Sequence, residues 1–441
     1  TPLDHRLDGL CKRKKLVHYV RYMDDIVLLA RTRWQLRRAI AARSRTSGAS
    51  SLVTRFRLGS ASMKWNDILG PTAHAYDGKD GYIPTLDGWR TIAVFFVLAA
   101  HSAHSADIYF PNIGILSHTG LIGVRIFFAL SGFLITSRIL EEIDARQRLS
   151  LSGFYLRRGF RILPPLLLLL TVVGLLGVLG VVHIGILEWF AGLFFFANWV
   201  EKSWYLGHLW SLAVEEHFYL LWPGLFALAG SRRTFWIAVA AVPVLAVWRL
   251  VAWRLELYSS PAIFWGRTDI QLDGLLWGAI WAYIDRYHRG HLKKLVAQHW
   301  VATATVALIV GIESLTLNNY NLSMLRYSIV AALIPIAIVG TARNHQFFLF
   351  RPLEWRPMRY VGRLSYSIYL WQQILLTSDE ARVTAFGALH QFPLNLFMVF
   401  PCAVASYYLI ERPMIKIGHR IATPVTSGRV DESQAQSKDS P

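Results

Sequence analysis

Long apolar runs alternate along the chain with short clusters of basic residues. A helix that crosses a bilayer needs about 20 mostly apolar residues, with a range of about 17–25. Runs of this kind cover 86–104, 119–137, 162–182, 209–229, 234–252, 269–285, 299–316, 325–342, 364–378 and 388–410. A further apolar stretch, 186–200, is shorter and follows closely on the third run. Loop charge decides how to treat it, because Lys and Arg collect in short cytoplasmic loops. If 186–200 does not cross, Arg138, Arg146, Arg148, Arg157, Arg158 and Arg161 share the inner side with Arg343, Arg351, Arg356, Arg359 and Arg363. The outer loops then keep only Lys202, Arg254, Arg267 and Arg382. A full crossing by 186–200 would turn the later clusters outward. The pattern predicts an all-α transmembrane helical bundle of about ten spans, with eleven as the alternative and both termini cytoplasmic. In the ten-span reading 186–200 dips in from the outer side or lies along the interface.

Composition agrees with this pattern. Of 441 residues, 54% are hydrophobic and only 17% charged, and mean hydropathy is +0.35. Soluble domains carry about 25% charged residues, so a water-soluble enzyme is excluded. The net charge of +18 sits in clusters between apolar runs, which is not the pattern of a nucleic-acid binder. With only Cys11 and Cys402, far apart, neither a disulfide framework nor a cysteine metal site is expected. The first apolar run follows a long basic leader, so it is expected to act as an uncleaved signal anchor.

The leader has its own character. Residues 17–32 read Val17-His18-Tyr19-Val20-Arg21-Tyr22-Met23-Asp24-Asp25-Ile26-Val27-Leu28-Leu29-Ala30-Arg31-Thr32. This resembles the catalytic hairpin of intron- and retron-type reverse transcriptases, where adjacent carboxylates hold magnesium for phosphoryl transfer. A third carboxylate, fingers and a template groove are missing from this sequence. Residues 1–47 are therefore expected to be a non-functional fragment, followed by a disordered linker at 48–83. The membrane domain then occupies 84–423, and 424–441 reads as a disordered polar tail.

Ionisable groups inside membrane runs are costly and by default mark function. Arg90 and His101 lie eleven residues apart in the first run, about 20° beyond three full turns, so they share a face; the rise between them is about 16 Å. Arg125, in the Gly-rich second run, demands an acidic partner or a ligand anion. Three guanidinia, Arg157, Arg158 and Arg161, stand at the entrance of the third run and suit phosphate groups. Plainer accounts exist for each: a snorkelling arginine with a structural histidine, small-residue packing, and a positive-inside anchor. In Glu215-Glu216-His217 the two carboxylates point about 100° apart, so one can face the interior and neutralise an arginine such as Arg125, or move protons.

Taken in order, these segments resemble the acyltransferase 3 family of membrane proteins. The resemblance rests on Leu86-Asp87-Gly88 with Arg90 and His101, Phe127-Phe128-x-Leu130-Ser131-Gly132-Phe133, and Phe154-Tyr155-x-Arg157-Arg158-x-x-Arg161-Ile162-x-Pro164. It continues with Trp210-Ser211-Leu212-x-Val214-Glu215-Glu216, Leu272-Asp273-x-Leu275-x-x-Gly278, Gly362-x-x-Ser365-Tyr366-Ser367-Ile368-Tyr369-Leu370-Trp371 and Glu411-Arg412-Pro413. There are departures. Gln372 stands where the family usually has His, His217 where it usually has Gln, and Gln271 where many members have Arg. Position 372 is accordingly given no proton-transfer role.

What the resemblance implies is a multi-pass acyltransferase of the inner membrane. It would move an acyl group, most often acetyl, from cytoplasmic acyl-CoA to a hydroxyl of a surface or lipid-linked glycan, such as lipopolysaccharide, or a glycoside. Acetyl-CoA is then a co-substrate, with no permanently bound cofactor, no metal and no nucleic-acid partner. His101 would act as general base or as nucleophile, two routes that stay open. Arg90 would hold donor phosphate or polarise developing charge, and Glu215 would orient or balance the site. Arg157, Arg158, Arg161 and Arg125 would bind acyl-CoA, while Asp87, Ser131, Glu216, Asp273 and Tyr366 support the site. Some members carry a hydrolase-like domain after the bundle; here only a short polar stretch follows Pro413, so none is expected. The rival reading is a transporter or flippase with a proton path through the same charges.

Overall fold

The computed structural model describes residues 18–22, 25–29, 82–106, 119–201, 203–287, 291–315, 320–376 and 384–422. The chain divides into two compact units, 1–67 and 68–441. In the first, β1 (His18–Tyr22) pairs antiparallel with β2 (Asp25–Leu29), with Tyr22 opposite Asp25. Asp24 lies outside the described residues, as do 48–81 of the expected linker and the whole expected tail.

The regular elements described in the second unit are all helices. Its helices are α1 (Pro84–Ala106), α2 (Thr119–Arg146), α3 (Leu151–Val178), α4 (Ile186–Leu193) and α5 (Leu209–Arg254). There follow α6 (Thr268–Tyr287), α7 (His299–Glu313), α8 (Tyr320–Arg343), α9 (Arg356–Leu375) and α10 (Leu394–Ser406), the last running on through a π-helical turn at Tyr407–Glu411. Among the described residues five helices are long and apolar enough to cross a membrane: Thr119–Arg146, Leu151–Val178, Trp204–Arg254, Asn321–Arg343 and Leu394–Ala422. The chain is a multi-pass membrane protein.

Lengths separate crossing from non-crossing segments. The 46 residues of α5 would span about 69 Å as one straight helix, against a hydrocarbon core of about 30 Å. At Gly230 φ is +76°, a conformation cheap only for glycine, and the rod breaks there into the two runs read from the sequence. By contrast α4, with eight residues, reaches about 12 Å and is too short to cross. Helix α3 departs from expectation. It begins at Leu151 rather than near 162, because the Ser150 side chain accepts a hydrogen bond from the Gly153 N–H and caps the helix. Arg157, Arg158 and Arg161 therefore lie inside α3, not in a loop before it.

The bundle is apolar outside, and its mostly apolar core encloses a smaller set of polar groups. On α3, Leu163, Leu167 and Leu175 are exposed while Leu166, Leu169, Leu170 and Val173 are buried. Fully enclosed polar groups include Arg249, Asp273, Gln372 and Glu411. Lipid tails are as apolar as leucine, so helices associate through close packing and polar contacts instead. Helix α6 packs on α2 and α5, and α9 on α1. At the α2–α6 contact a Cβ on Gly132 would fall on the Leu275 carbonyl, and one on Gly278 on the Ala129 carbonyl. Small residues here are a condition of assembly. Gly278→Val should cost at least the ~1–3 kcal/mol typical of overpacking, read as a lowered unfolding midpoint in detergent. Gly224→Val, at a position where an added Cβ meets nothing within 4 Å, should be far milder.

Candidate active site

Five helices contribute the walls of one cavity: Arg90 from α1, Val124, Phe127, Phe128 and Ser131 from α2, Arg158, Arg161 and Ile162 from α3, Ser211, Leu212 and Glu215 from α5, and Ser365, Tyr366 and Tyr369 from α9. It holds about 710 Å³ of atom-free space, mouth included, within the range of ligand pockets. Helical periodicity builds each wall. Val124, Phe128 and Ser131 repeat at i, i+4, i+7, Ser211 and Glu215 at i, i+4, and Arg158 and Ile162 likewise.

The charges in this cavity face one another. Ser131 Oγ donates to Glu215 Oε1 at 2.8 Å, and the Tyr219 hydroxyl donates to Glu215 Oε2 at 3.2 Å. Arg158 lies with its guanidinium carbon 3.6 Å from the Tyr219 ring centroid and within the field of Glu215 and Glu216. Its Nε and the Glu216 Oε1 are both buried without a hydrogen-bond partner. Arg161 meets the like charges of Arg90 and Arg158 and the opposite charge of Glu411, whose Oε2 accepts from Ser367 Oγ at 2.9 Å. A buried polar atom left unpaired costs about 1–3 kcal/mol, and both Arg158 and Glu216 bear that cost.

Asp87 braces Arg90 near the start of α1. It accepts from Arg90 at 3.1 Å and from the Tyr82 hydroxyl at 2.6 Å. Burial and the Asp87 charge push the Tyr82 phenol up to about 12, so Tyr82 stays a proton donor to Asp87 over the physiological range. Tyr366 lines the cavity and donates its hydroxyl proton to the Ile162 carbonyl at 2.9 Å.

Several expected site residues stand elsewhere. Arg125 is paired with Glu313 at 2.5 Å and lies 4.0 Å from the Tyr327 ring centroid. Its charge is met by α7, so neither an acyl-CoA anion nor Glu215 is needed to neutralise it. Arg157 turns away from its two neighbours and pairs with Glu142 at 3.2 Å. Asp273 is fully buried against Arg249 at 2.7 Å, and neither residue lines the cavity. His101 does not line the cavity either. Its Nδ1 is 2.7 Å from Gln372 Oε1, and its ring meets Trp204 edge-on at 5.6 Å. Gln372 follows Tyr369 by three residues on α9, so His101 lies about 4.5 Å further along the bundle than the cavity wall.

Sequence reasoning missed Ser211, Tyr369, Tyr219, Gln372 and Arg249. Ser211 and Tyr369 share one hydrogen bond at 2.5 Å; both were within quoted motifs and on the right helical face, one turn from Glu215 and Tyr366. Arg249 was legible as a lone cation in the apolar run 234–252. Gln372 was noted only as a departure from the resemblance, because its role depends on His101 from another helix.

Comparison with known proteins decides the family. Residues 83–411 match the family described as an acyltransferase domain, acyltransferase 3. The chain belongs to the acyltransferase 3 family. The hairpin β1–β2 lies outside the matched range. Among curated relatives, peptidoglycan O-acetyltransferase OatA of Listeria monocytogenes is 28% identical over 371 residues, covering 76% of this chain and 56% of the relative. The putative peptidoglycan O-acetyltransferase YrhL of Bacillus subtilis is 28% identical over 77% of this chain and 56% of its own length. O-acetyltransferase OatA of Staphylococcus aureus is 28% identical over 77% and 58% respectively. The chain thus spans a little over half of the length of these relatives. No solved structure matches it.

The Arg249–Asp273 pair of this acyltransferase domain is a test of structural against functional charge. Arg249 also donates to the Ile270 carbonyl and to Ser328 Oγ. Removing one partner of a buried pair typically costs about 3–5 kcal/mol, while replacing both with apolar groups can be neutral. Arg249→Leu or Asp273→Leu alone should therefore lower the unfolding midpoint strongly, and the double variant should recover most of the loss. A double variant whose loss equals the sum of the two single losses would show that the pair is not coupled.

Proposed function

We propose that this membrane acyltransferase moves an acetyl group from cytoplasmic acetyl-CoA to a hydroxyl of an envelope glycan. The observation that carries the reading is the cavity holding Arg90, Arg158, Arg161 and Glu215, with His101 about 16 Å beyond Arg90 along α1. Acetyl-CoA has an anionic nucleotide end and a slender arm ending in the thioester. Arg161 and Arg90, which face each other as like charges, gain from an anion between them. The arm then follows the cavity between α2, α5 and α9 towards His101. Of the sequence-based binding set, Arg158 and Arg161 are the arginines retained for this role, with Arg90.

His101 acts as general base. The acceptor oxygen attacks the thioester carbonyl while its proton passes to the imidazole; the C–S bond breaks, and the CoA thiolate takes that proton back. The product is an O-acetyl ester and free CoA. A positioned base of this kind contributes about 10²–10⁴-fold. Glu215, held by Ser131 and Tyr219, balances the Arg158 charge so that the cavity stays open to a mostly neutral arm. The relatives named as peptidoglycan O-acetyltransferases favour peptidoglycan over lipopolysaccharide as the acceptor class, and the family match favours transfer over transport. The positive-inside pattern supports ten spans, with α5 counted twice, and both ends in the cytoplasm of a cell whose inner membrane holds the protein.

The test is transfer of labelled acetyl from acetyl-CoA to a peptidoglycan oligosaccharide by protein in liposomes. His101→Ala should lower kcat by at least about 10²-fold while leaving folded protein; wild-type turnover in that variant would remove the base role. In the same assay Arg158→Ala should raise KM for acetyl-CoA about 10–100-fold, the value of a charge-assisted hydrogen bond of about 1.5–3 kcal/mol. An unchanged KM would take Arg158 out of donor binding, and acetyl groups remaining on CoA would overturn the transfer reading altogether.

A further inference from the structure

Two consecutive glutamines near the end of α9 each hold a histidine, one from α1 and one from the cap that precedes α5. Gln373 Oε1 accepts from the backbone N–H of His208 at 2.8 Å and lies 2.6 Å from His208 Nδ1. A backbone N–H can only donate, so this amide must present its oxygen, and Nδ1 of His208 must carry the proton. One residue earlier the arrangement recurs: Gln372 Oε1 is 2.7 Å from His101 Nδ1. Gln372 is wholly buried, and its Nε2 has no hydrogen-bond partner. An amide kept in the interior with its donor unmet is there for its oxygen.

We propose that Gln372 is a positioning residue of the transfer: its carbonyl takes the Nδ1–H of His101 and fixes the imidazole in the tautomer whose lone pair is on Nε2. The inference rests on His101 being the base. A neutral imidazole has one donor and one acceptor nitrogen, and the partner of one nitrogen decides which is which. With Nδ1 committed as donor, Nε2 is the nitrogen that receives the proton of the attacking hydroxyl. The edge-on Trp204 ring, 5.6 Å from that of His101, restricts ring rotation, so tautomer and orientation are set together. Gln372 cannot ionise, which means it directs the proton without accepting it. The role differs from proton transfer, and it is one that the sequence did not assign to this position.

The experiment combines kinetics with imidazole ¹⁵N spectra of the full chain in liposomes, the His101 signals being identified by their loss in His101→Ala. Wild type should show His101 protonated at Nδ1. Gln372→Leu should lose that preference and lower kcat about 10-fold or more with KM for acetyl-CoA unchanged. Gln372→Glu, which keeps an acceptor at the same place, should retain Nδ1 protonation. A wild-type spectrum with Nε2 protonated overturns the proposal, and so does Gln372→Leu turnover within twofold of wild type. If Gln372→Leu fails to fold, the wild-type and Gln372→Glu spectra still decide. Activity in His101→Ala would instead overturn the base role, and Gln372 with it. An inactive His101→Ala beside a fully active Gln372→Leu would remove only the positioning role.

Discussion

Everything in the helical unit depends on charge being met by charge inside an apolar bundle. An ion moved from water to a medium of low dielectric loses several kcal/mol even after relaxation, and only a close partner with good geometry restores it. Arg249 finds that in Asp273 and Arg125 in Glu313, while Arg158 lies over the Tyr219 ring in the field of Glu215 and Glu216. Each pairing ties together helices distant in sequence. In a bilayer, where leucine on leucine gains little over leucine on lipid, these ties and the glycine contacts between α2 and α6 decide which helices are neighbours.

The buried charges form two kinds. Arg125 and Arg249 are answered inside the protein, on either side of Tyr327, with guanidinium carbons 4.0 Å and 4.3 Å from its ring centroid. Nothing in those pairs opens on the cavity. Arg90, Arg158 and Arg161 line it, and Arg161 is repelled by the other two. An arrangement that only stabilised the fold would not gather like charges beside empty space. Grouping by environment thus separates holding from binding, where grouping by residue type, as arginines in apolar runs, does not.

Much of this was legible in the chain. The apolar runs fall on α1, α2, α3, both halves of α5, and α6 to α10, since span length and hydrophobicity are local properties. The shared face of Ser211 and Glu215, or of Arg158 and Arg161, follows from helical geometry alone. Local rules fail where a partner lies far along the sequence. Nothing near Arg125 points to Glu313, 188 residues away, and nothing near His101 points to Gln372, 271 residues away. The early start of α3 was obscured for another reason: the basic residues that mark a cytoplasmic loop are also good helix formers, so the helix runs past the membrane edge.

The separation of arginines from histidine along α1 carries a directional consequence. Asp87 and Tyr82 fix Arg90 near the start of the helix, while Gln372 and Trp204 hold His101 near its end. A donor bound by its anionic end among the arginines can expose its reactive carbon only at the far end of its arm. On the proposed reading the nucleotide stays among the arginines while the acyl group reaches beyond the cavity, about one helical turn past Tyr369. On that same reading charge would keep the carrier at one end of the bundle, and the neutral acyl group, which costs little to move through a cavity walled by Phe127, Phe128 and Leu212, would be the part that travels. A protein that had to move the whole coenzyme would need matching cations at both ends. Here the described cavity gathers them at one.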